Sequence, residues 1–505
     1  MMRHRPLAVL VLLALLASAC SSATDQVAEA SADSAQPALT TSTTTTTTTA
    51  STTTSTTTTT TSEPPAPEFA GTTILVGVPP DLPGMQDIVA LTPEFFTGPT
   101  GIEVGFLVVP AVELLEDVSF KLPPRFDVLA FDNFFVLDSG RRTFTRLLDG
   151  KRSQQSAVVD LTPFAEADAD YDIDDLIPSV RSSVTLDGQL FGAPFYAESS
   201  IVMFNQDVMD AAGITVPEQP TWEQIADIAA QVQTEDVAGI CLQGVPGWDD
   251  LGATLTTVVN TFGGTWWEAN EDGTPSVAQI NQPDSGFRTA AEFYIDLAQN
   301  FGIDDPANAG FDQCLDEFQN GNVALWYDST SAAPILEASN SPIAGNVGYT
   351  LAPTNLTNAS GWLRSQSFVI NDIAETRETV EASWEFISWA TSAEFARIAA
   401  ENLPGDLADV EQNTRLSTHA NPEFVESNQP YGDLVLEAIT TSPIDNPGTT
   451  PRPGVGGVQF VGVPEFQDIA NRCTQHLSDA IAGETSVDDA LDACQEIASE
   501  ISLEG

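Results

Sequence analysis

The stretch FGAPFYAESSIVMFNQDVMDAAG, residues 191–213, decides how the rest of the chain is read. It follows on a β-like run, Leu190 to Phe195, that carries Pro194. Proline lacks a backbone donor, so a central strand would not accept it. Tyr196, Glu198, Ser199 and Ser200 then set an aromatic ring, a carboxylate and two hydroxyls close together. An apolar run, Ile201 to Phe204, leads into a short helical segment, Gln206 to Ala212, closed by Gly213. Buried polar groups need partners, so a polar cluster between two core-like strands reads as a chain crossing between two lobes.

Upstream, TTILVGV from Thr72 is the continuous apolar run of a buried parallel strand. A helical segment follows around Met85 to Phe96. Ile102, Val104, Phe106 and Val108 alternate as a strand, and Phe126 to Phe131 supplies a third. This order predicts an α/β domain with a largely parallel sheet. Ligands of such sheets sit beyond the carboxyl ends of strands, which marks Asp81 and the Asp132–Asn133 pair.

Downstream, Pro220, Thr221 and Gln224 form a helix start with capping-box spacing, and Ile225, Ile228, Ala229 and Val232 share one helical face. A second α/β unit follows: strand Ala238 to Leu242, loop GVPGWDD, helix Leu251 to Phe262 and the segment GGTWWE. Helices are expected at Ala290 to Gln299 and Leu315 to Asn320, with strands from Val323 to Tyr327 and from Val347 to Leu351. Ser360 to Ile370 reads as a second crossing, and Val380, Trp384 and Ile387 mark an amphipathic helix. Leu403 to Phe424 reads as irregular. The fold class is therefore α/β, with two lobes, hinge crossings and a ligand cleft. Residues 69–195 with 364–402 form one lobe, and 196–363 with 403–505 the other. Such clefts are favoured small-molecule sites that close by hinge motion.

The ends carry different signals. MMRHRPLAVLVLLALLASAC, residues 1–20, has a basic start, an apolar run and small residues before Cys20, the pattern of a secretory signal. Its end resembles the bacterial lipobox, whose cysteine is lipidated, so Cys20 is the expected anchor to the outer face of the cell membrane. Residues 21–68, with a threonine-rich tract from Thr40 to Ser62, read as a disordered stalk. Four further cysteines, Cys241, Cys314, Cys473 and Cys494, belong to an exported setting where disulfides form. Cys473 and Cys494 flank one presumed helix pair; the pairing stays open.

Composition excludes whole classes of partner. Among 505 residues, 72 are acidic and 17 basic, a formal charge of −55 that repels nucleic-acid phosphates and anionic lipid headgroups. There is no P-loop, no glycine-rich dinucleotide turn, no HExxH and no Cys–His metal spacing, so neither cofactor nor metal is expected. Serine-hydrolase elbows are absent too. Paired carboxylates for glycoside cleavage remain a rival reading, because acids are everywhere. An envelope sensor or adhesion module is another.

Carbohydrate and polyol sites demand aromatic faces ringed by carboxylate, amide and guanidinium groups. Tyr196, Trp248, Trp266 and Trp362 are the candidate stacking faces; Glu198, Asp249, Asp328 and Arg364 are the candidate hydroxyl partners. Arg415 is conspicuous in so cation-poor a chain, although any arginine here readily finds a structural carboxylate.

These residues carry a resemblance. GICLQGVPGWDD (239–250), TFGGTWW (261–267) and GVQFVGVPEFQ (457–467), in this order after the 191–213 string, resemble the extracellular solute-binding proteins of ABC importers, in the branch that takes up sorbitol and mannitol. The resemblance spans Thr72 to about Ile501. It implies a two-lobed fold that closes on one sugar or polyol, catalyses nothing and docks as a monomer on a membrane permease. After Trp362 this chain has LRSQSF where relatives tend to be tryptophan-rich, so Arg364 and Gln366 point to a different or acidic ligand.

Overall fold

A computed structural model describes residues 67–500 apart from 81, 112, 115–124, 134, 137–142, 149–150, 270–274, 278, 357–359, 373–376, 404–413 and 443–465. The chain divides into two units, Met1–Pro64 and Pro65–Gly505, and all described residues belong to the second. The signal peptide, Cys20, the threonine tract and Asp81 lie outside the described residues.

Two sheets organise this unit. The first has the order β2-β1-β3-β9-β4, with β1 Thr73–Val78, β2 Glu103–Val108, β3 Val128–Asp132, β4 Ala193–Glu198 and β9 Arg364–Ile370. Strands β1, β2 and β3 run parallel, as their continuous apolar runs predict. The sheet is nevertheless mixed, which corrects the largely parallel expectation: β9 returns from the second half of the chain antiparallel to both β3 and β4. Pro194 lies on β4 at the sheet's edge, where its missing donor costs nothing. Pairing there shifts by one residue, from Ser367 opposite Pro194 to Gln366 opposite Tyr196. The strand then continues to Glu198 opposite Arg364, further than the sequence suggests.

The second sheet has the order β6-β7-β5-β8, from β5 Ser200–Asn205, β6 Ala238–Cys241, β7 Val323–Ser329 and β8 Val347–Leu351. Only β6 and β7 are parallel. Helix α1, Met85–Leu91, follows β1. Helix α2, Gln206–Ala212, ends on Gly213 at φ 67°, the left-handed conformation that glycine adopts without strain. In α3, Trp222–Val232, Thr221 accepts from the Gln224 amide at 3.2 Å while the Gln224 side chain accepts from Thr221 N–H at 2.8 Å. The face Ile225, Ile228, Ala229 and Val232 is buried, against β6. Helices α4 Leu251–Thr261, α5 Gly286–Phe301 and α6 Phe311–Gln319 complete this layer, and α7 Arg377–Ala390 covers the first sheet. Helix α8 is Gly432–Thr441, and α9 Phe466–Ile481 and α10 Val487–Glu500 form a hairpin against α5. One disulfide joins Cys241 at the end of β6 to Cys314 on α6, and another joins Cys473 on α9 to Cys494 on α10. The stretch read as irregular holds two short helices, Leu416–His419 and Pro422–Ser427.

A single residue, Ser199, separates β4 in one sheet from β5 in the other. The second crossing is 352–363, between β8 and β9. The two are stitched together: Ser200 Oγ donates to Ser360 O at 3.0 Å and accepts from Trp362 N–H at 3.3 Å. Ser199 shares a 2.8 Å hydrogen bond with Ser442, whose hydroxyl lies 2.8 Å from Trp362 O. The buried hydroxyls that looked out of place in the sequence are thus the partners of the two chain crossings.

Candidate ligand-binding cleft

A cavity of about 700 Å³ opens beside the crossings, within the ~300–1,000 Å³ range of small-molecule sites. Each wall is placed by an element end. Tyr196 and Glu198 close β4, Arg364 opens β9, and Trp362 lies on the second crossing two residues before it. Asp328 and Ser329 stand at the carboxyl end of β7, Gln243 and Trp248 on the loop after β6, and Phe311 at the start of α6. That loop is tight: a Cβ at Gly244 would lie 1.9 Å from the Pro306 carbonyl oxygen. Its far end is moored to α9, where Thr474 Oγ1 accepts from Gly247 N–H at 3.1 Å and Asn471 Oδ1 from Trp248 N–H at 2.9 Å.

The polar groups form two linked networks. Glu198 accepts from the Tyr196 hydroxyl at 2.6 Å and from Ser329 Oγ at 2.9 Å. Arg364 Nε donates to Asp132 Oδ2 at 2.7 Å, and its Nη1 stands 4.0 Å from Glu198 Oε1. Buried Gln366 donates to the same Asp132 oxygen at 3.2 Å. Asp328 is 1% exposed, and burial pushes its carboxyl up to about 6. Three donors hold it back from a larger rise: Gln243 Nε2 at 2.9 Å, Ser329 N–H at 2.7 Å and Trp326 Nε1 at 3.2 Å. Asp250 is also pushed up to about 6, by burial and the neighbouring Asp249 charge against the pull of Arg364. Five carboxylates therefore surround one guanidinium, and that guanidinium is already engaged. Among the described residues, no His, Cys, Asp or Glu grouping could hold a metal ion, and no helix is long and apolar enough to cross a membrane.

Most expected residues meet here: Tyr196, Glu198, Trp248, Asp249, Asp328, Trp362 and Arg364 all line the cavity. Two do not. Trp266 is a core residue, 2% exposed, with its ring against Phe287 and Phe466 and its Nε1 donating to Thr256 at 2.8 Å. Arg415 is buried elsewhere, its guanidinium 4.8 Å from the Tyr171 ring, with Nε donating to Thr391 O at 2.7 Å and Nη1 to Asp172 O at 3.1 Å. Asp81 lies outside the described residues. Sequence reasoning passed over Gln243 and Ser329. Gln243 stands just beyond the carboxyl end of β6, so the rule that marked Asp132 would have found it.

The family described as bacterial extracellular solute-binding protein matches residues 87–397. A mannitol-binding protein of Pseudomonas aeruginosa is 32% identical over 340 residues, 66% of this chain and 74% of the relative. Among solved structures, an ABC transporter solute-binding protein from Agrobacterium vitis with bound D-mannitol superposes with a TM-score of 0.70 at 32% identity, covering 85% of this chain and 97% of that one. Another, from Agrobacterium radiobacter in complex with ribitol, has a TM-score of 0.65 at 20% identity over 86% and 99% of the two chains, a likeness of fold. These relatives are solute-binding proteins. With both crossings inside the matched segment, the chain belongs to the bacterial extracellular solute-binding protein family.

Proposed function

We propose that this protein captures an uncharged sugar alcohol or monosaccharide in the cleft and hands it to the permease of an ABC importer. The observation that carries the reading is the engagement of Arg364 by Asp132 at 2.7 Å, with Glu198 alongside, in a cleft also holding Asp249, Asp250 and Asp328. An anionic ligand meets surplus negative charge there, whereas hydroxyls can donate to the carboxylates and their C–H faces can lie on Trp248, Trp362 and Tyr196. This favours a neutral ligand over the acidic one that Arg364 suggested in the sequence. The mannitol bound by the two relatives that are 32% identical supports a hexitol. The reading extends to a monomer anchored through Cys20; wild type and Cys20→Ala shed equally into the medium would contradict the anchor.

A thermal-shift screen against hexitols, neutral sugars and sugar acids tests the ligand class. A ligand at about a hundred times its Kd stabilises by about 2.7 kcal/mol. The expected result is a shift with a hexitol, weakened at least about tenfold (about 1.4 kcal/mol) in Trp248→Ala. A shift with sugar acids alone rejects the neutral reading.

A further inference from the structure

Both walls of the cleft are acidic. Asp132 closes β3 and Glu198 closes β4 on the first sheet's side, while Asp249 and Asp250, on the loop after β6, and Asp328, on β7, belong to the second. Asp250 immediately precedes α4 and makes no side-chain capping hydrogen bond there. A second cavity of about 480 Å³ adjoins the first, and Arg364 and Asp249 line both. Among the described residues, Arg364 is the one cation lining either cavity. Its side chain is 35% exposed. A guanidinium has five N–H donors, and the one on Nε is given to Asp132. Its charge also reaches the opposite wall: burial and the neighbouring Asp249 push the Asp250 carboxyl up, and Arg364 pulls it down.

Resting on the polyol reading above, we infer that Arg364 is a positioning residue that works between the walls: it is the counter-ion that lets two acidic surfaces close on an uncharged solute. Without it, the two carboxylates of one wall meet the three of the other, and like charges repel more strongly in a cleft than in bulk water. With it, much of the first wall's charge is cancelled. A neutral solute adds no charge of its own, so ionic strength acts on the walls and leaves the solute's contacts alone. The screening length shortens from about 10 Å at about 0.1 M salt to about 3 Å at about 1 M. A charge role for Arg364 therefore fades with salt, whereas a hydrogen bond from Arg364 to a solute hydroxyl persists.

The test is isothermal titration of the exported protein with D-mannitol at these two salt concentrations. Arg364→Gln is expected to lose at least about tenfold in affinity at the lower salt and to come within about threefold of wild type at the higher. Arg364→Lys, which keeps the charge without the planar fork, is expected to stay within about threefold of wild type at both. Asp249 is exposed, so Asp249→Asn puts folding at little risk. Its ratio of affinities between the two salts should be smaller than that of wild type, because one repelling charge is gone. An Arg364→Gln deficit that is equal at both salts, or absent at the lower, overturns the counter-ion role, and so does an Asp249→Asn ratio equal to that of wild type. If wild type binds no hexitol, the polyol reading falls, and the counter-ion role is judged on the ligand-free protein. Spin labels at two exposed positions, through Val89→Cys and Glu235→Cys, then report the distance between the lobes. Adding Arg364→Gln should lengthen it at the lower salt only, and an unchanged distance there overturns the inference.

Discussion

At the residue scale, the cleft shows how burial, helped by a neighbouring carboxylate, can make an aspartate responsive to mild acid. Asp328 ordinarily titrates near 3.8 and is raised to about 6 by burial. Between roughly pH 4 and pH 6 the folded protein therefore holds a proton that the unfolded chain has lost, so stability from this group falls as pH rises through that window. The full span corresponds to roughly 3 kcal/mol. Asp328→Asn removes the titration, so its melting temperature relative to wild type should climb between pH 4 and pH 7. A pH-independent difference would show that Asp328 titrates normally. The constant part of the substitution, loss of an acceptor for Gln243, Trp326 or Ser329, does not change this slope. Which tryptophans face the cleft was only half legible. Trp248 announced itself in a Gly/Pro loop, but Trp266 has the same chemistry in sequence and differs only by its position against Phe287, a contact made between α5 and the turn after α4.

At the element scale, the periodic pieces were readable because local rules fix them. The Thr221–Gln224 box starts α3, Gly213 stops α2, and β8 runs from Val347 to Leu351 as its pattern indicates. What the pattern could not carry is pairing. The antiparallel return of β9 and the cysteine partners depend on residues far apart in the chain. Both disulfides brace the wall that bears Gln243 and Trp248: Cys241 lies at the end of β6, and Cys473 lies one residue from Thr474, the mooring of Gly247. Loop-closure entropy grows with the separation bridged, and separations of 73 and 21 residues give about 4 and about 3 kcal/mol. In urea, Cys241→Ala/Cys314→Ala should therefore unfold at a lower midpoint than Cys473→Ala/Cys494→Ala. The reverse order would show that local packing, and not chain closure, sets the value of each bridge.

At the scale of the whole molecule, a charge of −55 makes the surface repel itself. Raising salt from about 0.1 M to about 1 M shortens the screening length from about 10 Å to about 3 Å. The melting temperature should rise across that range, and a flat or falling curve would mean that local ion pairs outweigh the general repulsion. The one-residue passage at Ser199 bears on something else, the motion of the walls. A strand that leaves one sheet and enters the next with no slack permits turning but not sliding. Ser199 N–H, bonded to Thr330 Oγ1 at 3.1 Å, pins the pivot further. Under rotation, displacement grows with distance from the axis, so Glu198 and its neighbour across the ladder, Arg364, keep their mutual geometry at every opening angle. Trp248, on a loop of the opposite wall, does not share that sheet. One wall of the cleft is thus carried rigidly by the pivot, and any change of opening angle alters only the distance from that wall to the other.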